Sequence, residues 1–203
     1  MDNGQRTTII LLAGGLARRL PGKLALPVEG EPLLVSTYRR LTHHGARECL
    51  ISVRSPLPAE LTALIPARAI EDRYPDGGPL GGLLSAAHEV RTPLFFAAAG
   101  DLPRIDARFI DRLEQRYDAC AAEQRAKPAA VIPRHADGRL EPLAALYDTT
   151  EFICGARAAL ERGERKVTAA IAGLHVAYVD LSDAEMRQLA NINTPQDWLQ
   201  FQT

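Results

Sequence analysis

The sequence has few cysteines and no long apolar run. Its three cysteines, Cys49, Cys120 and Cys154, are odd in number and far apart, which argues against a disulfide framework and against a zinc site. We expect reduced thiols that mostly pack in the interior. No apolar segment approaches the roughly 20 residues of a membrane-spanning helix, and the polar start Met1–Gln5 has no secretory signal pattern. We therefore expect a cytoplasmic protein with no membrane partner.

The sequence also lacks an excess of charge of either sign, and it contains very little lysine. A formal net charge of -1 gives no general attraction to nucleic acid or to acidic membranes, so we expect no nucleic-acid partner. Any anion site must therefore be built locally. Of the 24 basic residues only three are lysines, Lys23, Lys127 and Lys166. Background composition thus does not explain a lysine in the first loop of the chain.

What the sequence does contain is a regular alternation of apolar and amphipathic segments. Apolar runs typical of buried strands occur at Thr7–Ala13, Cys49–Val53, Ala67–Ile70, Leu94–Ala99, Ala129–Pro133, Leu143–Tyr147 and His175–Leu181. Helical patterns occur at Glu31–Gly45, Pro58–Ile65, Leu80–Val90, Asp106–Ala119, Thr150–Glu161, Lys166–Gly173 and Ser182–Leu189.

This alternation predicts one domain over residues 1–203, with a three-layer α/β/α fold and a mostly parallel central sheet. No repeat or linker divides the chain. In such folds ligands bind beyond the carboxyl ends of the strands, so the loops that follow strands are the informative ones.

The loop after the first strand has the composition of a phosphate-binding loop. The strand ends in Gly14 and Gly15, and Arg18, Arg19 and Lys23 follow within nine residues. Exposed backbone amides beside fixed cations can hold a polyphosphate. The alternative is an ordinary turn whose charges face water.

Asp101 directly follows the central apolar strand Leu94–Ala99, so its carboxylate emerges at the sheet edge where the first loop also emerges. Mg²⁺ takes one or two carboxylates together with phosphate oxygens and waters, which makes Asp101 a candidate ligand. The alternative is that Asp101 only caps the turn before Pro103. The metal hypothesis requires Lys23 and Asp101 to face each other across one crevice.

Two further segments carry candidate residues. The loop Glu71–Gly82 carries Asp72, and a carboxylate can accept hydrogen bonds from the amino and ring N–H edge of guanine; taken alone, the loop also fits an exposed turn. In Asn191–Asp197, Thr194 and Pro195 are typical of a helix N-cap and its first residue. Capping leaves the two asparagines of this segment unexplained.

The first loop resembles the signature of nucleotidyltransferases with a Rossmann-like fold, and it is most similar to that of the molybdenum cofactor guanylyltransferases. The matching residues are Leu12-Ala13-Gly14-Gly15, Arg19, Lys23 and Gly30-Glu31-Pro32-Leu33. Between Arg19 and Lys23 the sequence has Leu20-Pro21-Gly22, where the family usually has Met-Gly and a slightly longer approach.

Four later segments also resemble this family. Asp72 with Gly78–Gly82 is similar to its guanine-binding segment, and Gly100–Pro103 to its metal-binding motif, in which a cysteine usually precedes the aspartate. Arg139–Tyr147 resembles the part that faces the acceptor, and Asn191–Pro195 resembles a segment of the active cleft.

The resemblance implies roles for residues at the matching positions. The implied catalytic residues are Arg19, Lys23 and Asp101. The implied nucleotide-binding residues are Leu12, Ala13, Gly14, Gly15, Lys23, Asp72, Gly78, Pro79, Leu80 and Asp101. Asp101 would bind Mg²⁺, the implied cofactor, and the acceptor would contact Arg139, Pro142, Asn191 and Asn193.

The implied reaction is transfer of GMP from GTP to the phosphate of the molybdenum-pterin cofactor, with release of pyrophosphate. The implied partners are these two substrates and, transiently, proteins that deliver the cofactor or mature molybdoenzymes. An acceptor that is already a phosphate monoester needs no general base, which agrees with a sequence that has no convincing nucleophile–base pair.

Three other functions remain open. Relatives use CTP with the same acceptor, although Asp72 and Gly-Pro-Leu-Gly-Gly favour guanine. Transfer to a sugar or polyol phosphate would use the same phosphate-binding loop, and a non-catalytic GTP-binding module belongs to a different class. A dinucleotide oxidoreductase is disfavoured, because the first loop lacks G-x-G-x-x-G.

Overall fold

A computed structural model describes residues 6–14, 20–43, 47–74, 76–124 and 126–202. Its strands are β1 (Thr7–Leu12), β2 (Pro27–Val28), β3 (Glu31–Pro32), β4 (Cys49–Val53), β5 (Arg68–Glu71), β6 (Leu94–Ala99), β7 (Ala130–Arg134), β8 (Ala144–Asp148) and β9 (Val176–Asp180). Its α-helices are α1 (Leu33–Thr42), α2 (Ala59–Leu64), α3 (Gly78–Ala87), α4 (Ala107–Gln124), α5 (Thr149–Glu161), α6 (Asp183–Gln188) and α7 (Pro195–Gln202). Two 3-10 segments lie at Lys23–Ala25 and Val167–Ile171.

The central sheet has seven strands in the order β5-β4-β1-β6-β8-β7-β9. All neighbouring pairs are parallel except the two formed by β8, which runs against β6 and β7. The expected mostly parallel sheet is therefore confirmed. Strands β5, β4, β1 and β6 all end at the same edge of the sheet, and β8 begins there.

Helices cover both faces of this sheet, because the side chains of the central strands alternate between two apolar cores. On β1, Ile9 and Leu11 belong to the core that includes Ile110 of α4, whereas Ile10 belongs to the core that includes Leu83 of α3. All five of these side chains are at most 1% exposed. Strands buried on both faces are near-continuous apolar runs, which is why the sequence revealed them.

Most element boundaries follow the sequence patterns closely, although α4 extends five residues beyond its expected end at Ala119, to Gln124. Helix α3 begins two residues earlier than expected, at Gly78, and the segment expected to be helical after Lys166 is a 3-10 helix. The first loop is not irregular throughout, because Lys23–Ala25 forms a 3-10 turn. The capping box of α6 is present, with Ser182 and Glu185 as its reciprocal partners. The C-terminal part of the first expected helix, up to Gly45, lies outside the described residues.

The cysteines match the expectation of interior thiols only in part. Cys49 and Cys120 are buried, whereas Cys154 is exposed on α5. Burial raises the pKa of the Cys49 thiol to about 12, so this side chain remains protonated and acts as an apolar packing group. Among the helices that the structure describes, none is both long enough and apolar enough to cross a membrane.

Replacing Gly155 with alanine is expected to destabilise the fold. A Cβ at this position of α5 would lie 1.8 Å from the carbonyl oxygen of Ala170, so the helix and the 3-10 segment would have to separate. Overpacking of this kind costs about 2 kcal/mol or more, measurable as a lower urea midpoint. Cys154→Ala changes the neighbouring exposed position of α5 and should leave the midpoint unchanged; equal midpoints for both variants would contradict the packing argument.

Candidate active site

A cavity of about 450 Å³ opens at the carboxyl edge of the parallel strands. Its walls come from the strand ends and the residues after them, namely Leu12, Ala13, Gly14, Ser52, Val53, Arg54, Asp72, Ala99, Gly100 and Asp101. The remaining walls come from the 3-10 turn, from α3 and from the start of β8, namely Gly22, Lys23, Leu24, Gly78, Pro79, Gly82 and Leu143. The cavity thus lies where ligands are expected in an open α/β sheet.

Lys23 and Asp101 meet in this cavity. The Lys23 Nζ donates to Asp101 Oδ2, and it also donates to the side-chain oxygen of Asn193 at 2.9 Å. The Lys23 and Asp101 side chains are only 14% and 11% exposed, so water screens their ion pair weakly. The expectation that these two residues face one crevice is therefore confirmed, and Asn193 is brought to the same point.

Backbone hydrogen bonds hold Asp101 from two directions. The N–H of the preceding Gly100 donates to Leu12 O at 2.9 Å, and the Ile192 N–H donates to Asp101 O at 3.0 Å. A Cβ on Gly100 would lie 2.8 Å from Leu12 O and from a methyl group of Leu34. This chain therefore needs glycine where the resembling family usually has cysteine, and the glycine leaves the carboxylate in the cavity.

The environment of the Asp101 carboxylate suits a residue that binds Mg²⁺. Its second oxygen, Oδ1, is buried and has no hydrogen-bond partner among the described residues, a costly state unless a ligand completes its coordination. Within the described ranges no group of three or more His, Cys, Asp or Glu residues could hold a metal. Asp101 is therefore the residue that would hold such an ion, in keeping with the preference of Mg²⁺ for one or two carboxylates together with phosphate oxygens and waters.

Asp72 stands on the opposite side of the cavity, directly after β5. Its backbone N–H donates to Val53 O, and its Oδ1 accepts a hydrogen bond from the Tyr74 N–H, both at 2.8 Å. The loop then packs against the first turns of α3, where a Cβ on Gly81 would lie 2.5 Å from Tyr74 O. The small residues expected in this turn do allow a backbone to approach closely.

Most residues assigned to the nucleotide line the cavity. They are Leu12, Ala13, Gly14, Lys23, Asp72, Gly78, Pro79 and Asp101. Leu80 does not, since its side chain is fully buried in the core beneath α3, so only its backbone could meet a ligand. Gly15 and Arg19 lie outside the described residues.

The residues assigned to the acceptor do not all lie at the cavity. Asn193 contacts Lys23, whereas Asn191 is exposed and lines no part of the cavity. The Arg139 guanidinium is engaged by Glu141 at 2.8 Å and by His135 Nδ1 at 3.2 Å. Pro142 also lies outside the cavity wall, although the next residue, Leu143, is part of it.

Several residues of the cavity wall were not singled out from the sequence, among them Ser52, Val53 and Arg54. Arg54 directly follows β4, so its position after a strand was a usable signal. Ser52 and Val53 lie within β4, where apolar patterning draws attention to burial and not to ligands. Only the three-dimensional arrangement shows that they face the cavity.

Comparison with known proteins identifies a matching family and similar relatives. The family described as "MobA-like NTP transferase domain" matches residues 9–176. A protein of Pyrococcus furiosus named "Probable molybdenum cofactor guanylyltransferase" is 31% identical over 199 residues, which cover 95% of each chain. A protein of Methanosarcina mazei with the same name is 30% identical over 203 residues, covering 93% of this chain and 86% of the relative.

Solved structures share the fold. Molybdopterin-guanine dinucleotide biosynthesis protein A from Archaeoglobus fulgidus superposes with a TM-score of 0.75 at 24% identity, covering 96% of each chain. The 2-C-methyl-D-erythritol 4-phosphate cytidylyltransferase from Thermus thermophilus gives a TM-score of 0.65 at 18% identity, covering 94% of this chain and 95% of the other. Identities this low support the shared architecture alone.

Proposed function

This chain belongs to the family of MobA-like NTP transferase domains, and from that premise we propose that it transfers GMP from GTP to the phosphate of a molybdenum-pterin cofactor and releases pyrophosphate. The donor and acceptor follow the names of its relatives, probable molybdenum cofactor guanylyltransferases at about 30% identity over most of the chain. The observation that carries the proposal is the convergence of Lys23, Asp101 and Asp72 on one cavity.

In this proposal Lys23 binds the triphosphate together with the backbone at Gly14. An ammonium group has three N–H donors, and two of them are used by Asp101 and Asn193. The third has no partner among the described residues and is assigned to a phosphate oxygen. Because Lys23 is held from two sides, its charge is fixed before the nucleotide arrives and needs little reorganisation during the reaction.

Asp101 supports the α-phosphate end of the site. Its unpartnered Oδ1 would hold Mg²⁺, which when bound supplies positive charge to the phosphate oxygens. The acceptor phosphate is anionic at neutral pH, so its oxygen attacks the α-phosphorus without a general base. The new P–O bond forms as the bond to the bridging oxygen breaks, and pyrophosphate leaves with that electron pair.

Asp72 reads the base in this proposal. Its carboxylate lies in the cavity wall beside Gly78 and Pro79 of α3, and it accepts hydrogen bonds from the N–H edge of guanine. Cytosine lacks the matching ring N–H, so CTP would leave the carboxylate unsatisfied in a partly buried position. Leaving a polar group of the site unpaired is an effective basis for discrimination between substrates.

A panel of four nucleotides, each with purified molybdenum-pterin cofactor, tests this function by pyrophosphate release. GTP is expected to be preferred over CTP by about a hundredfold in kcat/KM, and sugar or polyol phosphates should not replace the pterin. Turnover with CTP alone would overturn the role of guanine. Tight GTP binding without pyrophosphate release from any acceptor would instead identify a non-catalytic GTP-binding module.

A further inference from the structure

We propose that Ser85 determines the nucleotide specificity of this site by holding the Asp72 carboxylate in place, an inference that rests on the proposed function. Ser85 lies on α3 and is fully buried. It is not part of the cavity wall, so it does not touch a nucleotide there. Its effect would reach the nucleotide through Asp72, which makes it a positioning residue.

The Ser85 hydroxyl connects α3 to the loop that follows β5. Its oxygen accepts a hydrogen bond from the Arg73 N–H at 2.9 Å. Its proton has two acceptors within reach, Gly81 O at 2.9 Å and Asp72 Oδ1 at 3.3 Å. A hydroxyl accepts a hydrogen bond while its single proton is donated, so this group anchors the loop backbone and, through the longer of its two donor contacts, restrains the carboxylate.

The contacts of Asp72 leave one of its oxygens for a ligand. Oδ1 is held by the Tyr74 N–H and by Ser85. Oδ2 receives no hydrogen bond from the part of the chain that the structure describes, and it lies 3.8 Å from where a Cβ on Gly82 would be. Because Asp72 and Gly82 both line the cavity, Oδ2 is the oxygen offered to an N–H group of the base.

Removal of the Ser85 hydroxyl should therefore weaken recognition of the base more than binding of the triphosphate. The Arg73 N–H would lose its acceptor, and the Asp72 side chain would lose a restraint on its rotation. Lys23 contacts Asp101 and Asn193, neither of which bonds to Ser85, so the phosphate side of the cavity should be unaffected. The predicted signature is a change in discrimination between nucleotides.

The test compares kcat/KM for GTP and CTP in Ser85→Ala, Asp72→Asn and the double variant, with purified pterin cofactor as acceptor. Ser85→Ala is expected to lower the GTP:CTP ratio about tenfold, with little change in the CTP reaction. Asp72→Asn should lower the ratio further. If Ser85 acts through Asp72, adding Ser85→Ala to Asp72→Asn should change the ratio no more, a non-additivity that a general loss of stability does not produce.

Thr8→Val is the matched control, because it removes a buried hydroxyl that pairs with Thr92 at 2.8 Å, near the amino end of β1 and away from the cavity. It should preserve the ratio. Ser85→Cys keeps the branching of the side chain, with a slightly larger and weakly bonding thiol, and it replaces Ser85→Ala if the alanine variant does not fold.

An unchanged ratio in a folded Ser85 variant, alongside a lowered ratio in Asp72→Asn, overturns the role of Ser85 and leaves the proposed function standing. A fall in the ratio as large in the Asp72→Asn background as in the wild type also overturns it. A wild-type protein with no preference for GTP overturns the proposed function itself, and the inference about Ser85 with it.

Discussion

Replacing Asp101 with asparagine is expected to lower kcat about a thousandfold or more. The substitution keeps the shape of the side chain but removes the negative charge that pairs with Lys23 and that would hold Mg²⁺ through Oδ1. Charge stabilisation at the reacting phosphate is the main contribution that a protein makes to this chemistry. The measurement is single-turnover pyrophosphate release at saturating GTP and pterin.

Two controls separate this effect from a loss of folding. Asp101→Asn breaks a largely buried ion pair and leaves the Lys23 charge without its partner, which by itself lowers the free energy of unfolding. Urea unfolding of Asp101→Asn and of the double variant Lys23→Met/Asp101→Asn measures that cost, and the double variant should be the more stable of the two. A folded Asp101→Asn variant with near-normal turnover would contradict the assignment of Asp101 to metal and phosphate.

Replacing Lys23 with methionine is expected to lower kcat/KM for GTP about a hundredfold. Methionine has a similar length, so the loss reports the charge and its hydrogen bonds to phosphate, and charge-assisted bonds are the strong ones in such sites. Lys23→Arg should recover only part of the activity, because a planar guanidinium does not reproduce the geometry of an ammonium held by both Asp101 and Asn193. The measurements are steady-state kinetics and GTP affinity by calorimetry.

The other lysines supply the control for this experiment. Lys127→Met makes the same chemical change at an exposed position that does not line the cavity, and it should leave both kinetics and GTP affinity unchanged. Equal losses in the two variants would mean that net charge matters and not the position of Lys23. Unchanged GTP affinity in Lys23→Met would show that this side chain does not bind the triphosphate.

The fold was largely readable from the sequence, because its central strands are short apolar runs buried on both faces. The segments Cys49–Val53 and Leu94–Ala99 became strands with the expected limits. The two short strands β2 and β3 were not expected, since two-residue strands carry no periodicity. The apolar pattern of the sequence also did not predict that β8 is antiparallel to its neighbours, because strand direction depends on how the connecting segment crosses the sheet.

The site was readable where a functional residue follows a strand. Asp72 follows β5 directly, Asp101 follows β6 with only Gly100 between them, and Lys23 stands out because lysine is rare in this chain. Arg54 also follows a strand, β4, directly and lines the cavity, but this criterion was not applied to it in the sequence analysis. Ser85 also received no role, because a buried serine within an apolar helix reads as packing until its hydrogen-bond partners are known.

By itself, the sequence determined which segments are strands and helices and which of their ends carry charged groups, because periodicity and burial are local properties. The tertiary structure decided which of those groups meet. Asn193 reaches Lys23 across 170 residues, through crossovers that no local pattern encodes, and Ser85 reaches Asp72 across the loop between β5 and α3. The orphaned oxygen of Asp101 and the need for glycine at position 100 likewise follow from distances between distant segments, and close packing fixes these distances only once the sheet is assembled.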